Sequence, residues 1–281
     1  MNYRHAYHAG NFADVLKHAA LVAVLTHLAR KDAPFAVIDT HGGRGLYDLG
    51  GEEARKTGEA QEGVLRLLDE GGALPGVLAR YCEIVRGVGE GRYPGSPLIA
   101  TKILRTQDRL VAVEKHPEEY KVLTSVLKSS KRIRTIQGDG YVELKRLLPP
   151  PERRGLVLID PPYEDNEEFK KAARALIDAH DRFPAGITLL WYPAKEKAAL
   201  AATIGEILNA GIAPVVKVEL DVGGDARPAV EGRGPRLTAA GLLAVNPPFG
   251  FAEEMQTILP FLARRLAQGS NARFAAEIVS G

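Results

Sequence analysis

Seven short apolar runs punctuate the chain: Phe35–Asp39, Leu110–Glu114, Ile133–Gln137, Leu156–Asp160, Ile187–Trp191, Val215–Leu220 and Leu242–Val245. Segments with helical spacing of apolar positions lie between them. This alternation predicts an α/β fold, a mainly parallel sheet with helices on both faces. The sequence contains no internal repeat.

Ahead of the first strand, Asn11 is placed to cap a helix running to about Arg30. Val15, His18, Val22, Leu25 and Ala29 form one face of it, a spacing that packs on a sheet. The connection from the first strand to the second is too long for a simple βαβ unit. Asp39 and Glu114 lie 75 positions apart, where such units place the second acid about 20 residues on. The excess, residues 47–93, predicts a small helical insertion with helices at Glu62–Leu68 and Val77–Val88, inside one domain spanning residues 1–281. After it, Ser96 followed by Pro97 predicts a helix start with Ser96 as its cap.

Composition narrows the class only slightly. The chain has 281 residues, 45% hydrophobic and 26% charged, with a formal net charge of +2, ordinary values for a globular protein. Locally the balance differs. Residues 121–154 carry nine Lys or Arg against three acids, which fits a phosphate-rich partner or the solvated faces of two helices. The single cysteine, Cys82, excludes an intrachain disulfide framework. The polar, His-rich start does not resemble a signal peptide, and no uninterrupted apolar run reaches the roughly 18 residues of a membrane span. A cytoplasmic protein, acting as a monomer and away from membranes, is expected. His5 and His8 have metal-compatible spacing, but no acid or cysteine set accompanies them, so no metal is expected.

Acids close successive strands: Asp39, Glu114 and Asp160, with Asp139 two residues past the third run. Ligands of open α/β sheets bind at the carboxyl ends of the strands. The loop Asp39-Thr40-His41-Gly42-Gly43-Arg44-Gly45 lets the backbone turn sharply beside a ligand. It fails the nicotinamide fingerprint, because Asp48 stands where the third glycine belongs, and it lacks the Gly-Lys-Ser/Thr of a P-loop. A carboxylate in that turn suits an ammonium. Glu114 suits a ribose diol, and Asp139-Gly140 an adenine edge. Together they describe a site for S-adenosylmethionine, although Asp139 or Asp160 taken singly would read as a helix cap. His18 reads as a buried structural histidine or, like His41, as a cofactor contact.

Asp160-Pro161-Pro162-Tyr163 ends the fourth run. Proline cannot continue a ladder. An exocyclic aromatic amine is a poor nucleophile because its lone pair is delocalised into the ring. Asp160 and the Pro161 carbonyl can each accept one of its N–H bonds, aligning the lone pair with a methyl donor and stabilising positive charge on nitrogen. Tyr163 can stack on the base. A second proline pair, Asn246-Pro247-Pro248, follows the seventh strand, antiparallel in a methyltransferase-type sheet. Its end therefore points to the opposite edge, and it reads as a structural turn.

These residues, with Tyr3-Arg4-His5, His8-Ala9-Gly10-Asn11, Asp14 to His18, Tyr93 to Pro97, Arg153-Arg154-Gly155 and Trp191-Tyr192-Pro193, resemble the RlmJ family of bacterial 23S rRNA adenine-N6 methyltransferases. The resemblance spans nearly the whole chain. It implies a Rossmann-like class I sheet of seven strands, the last antiparallel, S-adenosyl-L-methionine as cofactor and 23S rRNA as partner. It further implies cofactor contacts at His18, His41, Ser96, Glu114, Asp139, Gly140 and Asp160, catalysis by Asp160, and Tyr3 and Lys17 at the substrate entrance. Gly43 departs from the family, where a small side chain such as alanine is usual, and Gly223 to Pro235 match less well and are expected to form a mobile loop. The same amine chemistry on DNA or another RNA, and a non-catalytic rRNA-binding assembly factor, are the competing readings.

Overall fold

The seven expected strands all form in the structure, a computed structural model that describes residues 5–165, 167–224 and 237–280. In chain order the strands are β1 (Ala36–Asp39), β2 (Leu46–Asp48), β3 (Arg92–Pro94), β4 (Arg109–Glu114), β5 (Ile133–Gln137), β6 (Gly155–Ile159), β7 (Ile187–Pro193), β8 (Val215–Asp221), β9 (Ala239–Val245) and β10 (Arg273–Ser280). The main sheet runs β5-β4-β1-β6-β7-β9-β8-β10. Parallel pairing joins β5, β4, β1, β6 and β7, whereas β9 lies antiparallel to both β7 and β8. β1 and β6 are buried at every position, as strands covered on both faces must be.

Chain order reverses at β1, which pairs with β4 on one side and β6 on the other. A crevice therefore opens beyond the carboxyl ends of these strands, where open α/β sheets bind ligands.

Eleven helices pack around the sheet among the described residues: α1 (Phe12–Ala29), α2 (Glu52–Thr57), α3 (Glu59–Glu62), α4 (Val64–Leu68), α5 (Leu78–Arg86), α6 (Ser96–Thr101), α7 (Pro117–Leu127), α8 (Gly140–Leu147), α9 (Glu168–Arg182), α10 (Lys197–Asn209) and α11 (Phe251–Arg265). Asn11 caps α1 as expected, its side chain accepting from the Asp14 N–H at 2.9 Å. The single amphipathic face is not what the structure shows. Fourteen of the eighteen α1 residues are buried, because α1 is held between β6 and β9 on one side and α3 and α5 on another. Its mean hydropathy of 1.4 would suit a membrane span, yet 78% of it is buried inside the fold.

Two features were not expected. β2 and β3 pair as a separate antiparallel ribbon that closes the segment carrying α2 to α5. β10 adds an eighth strand at the edge, antiparallel to β8. The helix after the ribbon also starts differently: Gly95 is its N-cap, and Ser96 is the first helical residue. Pro97 then occupies the second position and offers no N–H for a cap to bind. The Ser96 hydroxyl instead donates to Asp39, a stronger acceptor.

Candidate active site

Asp139, Glu114, Asp39 and Asp160 stand in a row at the ends of β5, β4, β1 and β6. Asp39 is 1% exposed. Its carboxylate accepts from Ser96 Oγ at 2.7 Å and from the His41 N–H at 3.2 Å. Burial, with Asp160 nearby, pushes it up to about 6. Glu114 accepts from the Gly43 N–H at 2.8 Å and the His116 N–H at 2.7 Å; burial raises its carboxyl too. These two anions lack a cation at ion-pair distance among the described residues. They tie the glycine loop to β4 and leave lone pairs for a ligand.

The loop is tightly built. Gly43 has φ +58, and a Cβ there would meet the Tyr47 hydroxyl at 2.2 Å. The Thr40 hydroxyl gives its one proton to Leu158 O at 3.0 Å, so His41 Nδ1, 2.7 Å away, must donate to it. His41 Nε2 is then an acceptor. Burial lowers this imidazole to about 4 and keeps it neutral, its ring edge-on to Tyr141 at 5.2 Å.

Asp139 is a helix cap in this structure: Oδ1 accepts from the N–H groups of Tyr141 and Val142, and Oδ2 pairs with Lys115 at 2.9 Å. Partial burial opposes its charge, but Lys115 and the two backbone donors hold the carboxyl below its ordinary value. At Gly140, a Cβ would lie 2.1 Å from Thr40 O; glycine lets α8 start against the β1 loop. His18 lies deeper, 1% exposed, with Nδ1 2.6 Å from the Tyr93 hydroxyl, which meets the Tyr81 hydroxyl at 2.9 Å. Burial lowers it to about 3. Through Tyr93 it braces the approach to Ser96.

Asp160 has a partner that residue spacing did not disclose. Lys17 Nζ lies 2.6 Å from Asp160 Oδ2 and 2.9 Å from Asp14 Oδ1, and the Lys17 and Asp14 side chains are 5% and 2% exposed. Asp14 also accepts from the Gly10 N–H and meets His5 Nε2, each at 2.9 Å. Burial would push the Asp14 carboxyl up, but His5 and Lys17 hold it well below the carboxylate range. Burial likewise opposes the Lys17 charge, yet Asp14 and Asp160 raise it above its usual value. The available signal was Asp14 and Lys17 at i,i+3 in an otherwise apolar helix, since buried charges require partners. Lys17 thus approaches Asp160 from α1 and leaves Asp160 Oδ1 without a partner among the described residues.

Pro161 is buried, and no described residue donates to its carbonyl. Tyr163 takes φ 50. Its hydroxyl donates to Trp191 O at 2.8 Å, and its half-buried ring packs against Phe169 and Trp191. The second proline pair behaves as a turn: Asn246 Nδ2 donates to the carbonyls of Pro184 and Gly186, at the end of antiparallel β9. Tyr3 and most of the Gly223–Pro235 segment, from residue 225, lie outside the described residues.

Strand order, an antiparallel strand between β7 and β8, and a ligand crevice at the β1 switch point define a class I methyltransferase fold. A crystal structure of a Legionella pneumophila protein shares it with TM-score 0.84 at 35% identity, over 96% of this chain and 98% of that one. A probable spermidine synthase from Corynebacterium glutamicum, 13% identical with TM-score 0.50, covers 98% of this chain and 78% of its own, and shares the fold alone. The chain belongs to the family described as Ribosomal RNA large subunit methyltransferase D, RlmJ, whose model matches residues 32–277. Ribosomal RNA large subunit methyltransferase J of Escherichia coli K12 is 40% identical over 270 residues, covering 95% of this chain and 94% of that protein. The protein of the same name from Haemophilus influenzae is 37% identical over 285 residues, covering 100% and 99%.

Proposed function

We propose that this chain methylates the exocyclic N6 amine of an adenine in 23S rRNA, using S-adenosyl-L-methionine. The observation that carries the reading is the pair of acceptors at the β6 tip, Asp160 Oδ1 and the Pro161 carbonyl, both open beside a row of acids. The residues present fit the cofactor: Asp39 and Glu114 are buried carboxylates with no cation at ion-pair distance among the described residues, as suits an ammonium and a ribose diol. Asp139, once its Lys115 contact yields, suits the adenine amine. His18, His41, Ser96 and Gly140 complete the cofactor wall, and Tyr3 and Lys17 flank the substrate entrance. The cofactor supplies an electrophilic methyl group.

Asp160 Oδ1 and the Pro161 carbonyl hold the two N–H bonds of the target amine, turning its lone pair out of conjugation. As nitrogen becomes positive, the Asp160 charge stabilises it. Lys17 fixes the carboxylate orientation through the other oxygen. Tyr163, locked by Trp191 and Phe169, offers a fixed surface to the base. The enzyme works as a cytoplasmic monomer without a metal, in one domain, with residues 47–93 as a helical subdomain that also covers α1.

The functional test is methyl transfer by the purified protein to a 23S rRNA transcript and to DNA of equivalent sequence. N6-methyladenine at one site in the rRNA is expected. Equal or preferential transfer to DNA would contradict the assignment.

Two predictions concern the cofactor. Glu114→Gln and Asp139→Asn each weaken a charge-assisted hydrogen bond of about 1.5–3 kcal/mol, so affinity should fall roughly 10- to 100-fold. Asparagine remains a good cap, so thermal stability should change little in the second variant. Calorimetry showing unchanged affinity in both would remove these residues from the site.

The other prediction is a pH dependence. Asp39 is raised in the fold, to about 6, so in the free protein it takes up a proton as pH falls through that value. A cationic ligand prefers the ionised form and binding expels the proton. Cofactor affinity should therefore weaken as pH drops from 7 to 5, by up to about tenfold per unit below 6. In Asp39→Asn the affinity should be low throughout, with this slope gone. An unchanged slope in that variant assigns the pH dependence elsewhere.

A further inference from the structure

A second cleft, of about 290 Å3, opens between β1, β4, β5 and α8. Its lining comes from Ala36 and Ile38 of β1, Arg109 and Val111 of β4, Arg134 near the start of β5, the end of α8 and the proline loop after it. Three arginines line it, Arg109, Arg134 and Arg146, together with the apolar residues Val111, Leu147 and Pro149. Along β4, Arg109 stands five residues from Glu114, roughly 17 Å, and along β1, Ala36 stands three residues from Asp39, roughly 10 Å.

The arginines are not used up by the fold. Arg109 pairs with Glu152 at 2.9 Å, but its Nε is buried with no hydrogen-bond partner, a state folded proteins rarely leave unsatisfied. The Arg134 side chain makes no hydrogen bond or ion pair among the described residues. Among the described residues Arg146 meets only Glu143, and its side chain is 69% exposed. Other bases of the same positive stretch are committed: Arg132 to Arg105 O, Arg154 to the carbonyls of Leu28 and Ala33, Lys145 to Asp178. Of this stretch, Arg134 and Arg146 line the cleft, where Arg109 of β4 joins them.

Guanidiniums that fork around phosphate oxygens, beside a flat apolar wall, suit a nucleotide better than a bare anion. The volume is at the lower end for small-molecule sites, enough for one nucleotide. We infer that this cleft binds one nucleotide of the substrate RNA outside the target adenine, its phosphate on the arginines and its base or sugar against Val111, Leu147 and Pro149. The inference rests on the rRNA reading above. It assigns part of the RNA grip to the face beneath α8, away from the methyl-transfer crevice.

The test compares Arg134→Glu and Arg146→Glu with the wild-type protein and with Arg264→Glu, an exposed charge reversal on α11 at the other flank of the sheet. Affinity for a 23S rRNA fragment is measured by fluorescence anisotropy over a salt series, with methylation kinetics and cofactor affinity on the same preparations. Each cleft variant should bind RNA about tenfold more weakly, with the salt slope reduced by about one. KM for RNA should rise while kcat, cofactor affinity and thermal stability stay at wild-type values. RNA affinity unchanged in both cleft variants, or lowered equally by Arg264→Glu, would overturn the inference. Competition by free AMP, lost in the cleft variants while RNA affinity stays intact, would also overturn it by making the cleft a mononucleotide site. The binding arm needs no turnover, so a wild-type protein that binds the fragment through these arginines without methylating it would sink the functional reading and spare the cleft.

Discussion

Asp160→Asn should slow methyl transfer about 10²- to 10³-fold while leaving cofactor affinity nearly unchanged. Asparagine keeps the shape and one acceptor oxygen, so the amine can still dock. It cannot offset the positive charge that grows on nitrogen, and that loss appears only in the transition state. The substitution also removes the partner of Lys17 at 2.6 Å, so stability should be followed alongside rate. Single-turnover transfer to a 23S rRNA transcript, with calorimetric cofactor binding on the same preparation, reads the two effects separately. A variant near the wild-type rate would refute the role of Asp160, and equal losses in binding and rate would assign it to the cofactor.

Lys17→Met should be the most destabilising single change at the site. Methionine fills similar space without charge and leaves Asp14 and Asp160 facing each other across the buried end of α1. Removing one partner of a buried ion pair costs about 3–5 kcal/mol, because the remaining charge loses its compensation. For a chain of this size that lowers Tm on the order of 10 °C. Adding Asp14→Asn should recover part of the loss, since one uncompensated carboxylate is then gone. A Tm within a degree or two of wild type for the single variant, or no recovery in the double, would mean that the charges do not form the triad seen here.

Much of this architecture is legible in the sequence. Strands such as Leu156–Ile159 are continuous apolar runs because both faces are covered, and they stop where a proline pair removes ladder donors. Acids at successive strand ends marked the crevice for the same reason: a carboxylate beside a buried strand needs something to bind. The misses have physical causes too. β2 and β3 are three residues each, too short for an alternation to register. β10 carries Phe274 and Ile278 exposed at the sheet edge, so its pattern does not read as a covered strand. The expected amphipathic α1 is buried nearly all round because α3 and α5, far along the chain, cover its other side.

The site shows the same division. The sequence placed Asp39, Glu114 and Asp160 at strand ends, where the structure has them, whereas their present partners are tertiary facts. No local rule joins Lys17 to Asp160 across 143 positions, or Lys115 to Asp139 between adjacent strand ends. Ser96 illustrates a competition between local and distant demands: its sequence context favours a cap, but a buried carboxylate on β1 takes the hydroxyl.

The central claim, that Asp160 drives N6-methylation of an adenine in 23S rRNA, is tested most directly in cells. N6-methyladenine should be mapped across 23S rRNA from a strain lacking this protein, complemented in turn with the wild-type chain and with Asp160→Asn at equal abundance. One adenine should lose its methyl group in the deletion strain, regain it with the wild-type chain and remain largely unmodified with Asp160→Asn. An unchanged methylation map in the deletion strain, or full restoration by Asp160→Asn, would contradict it.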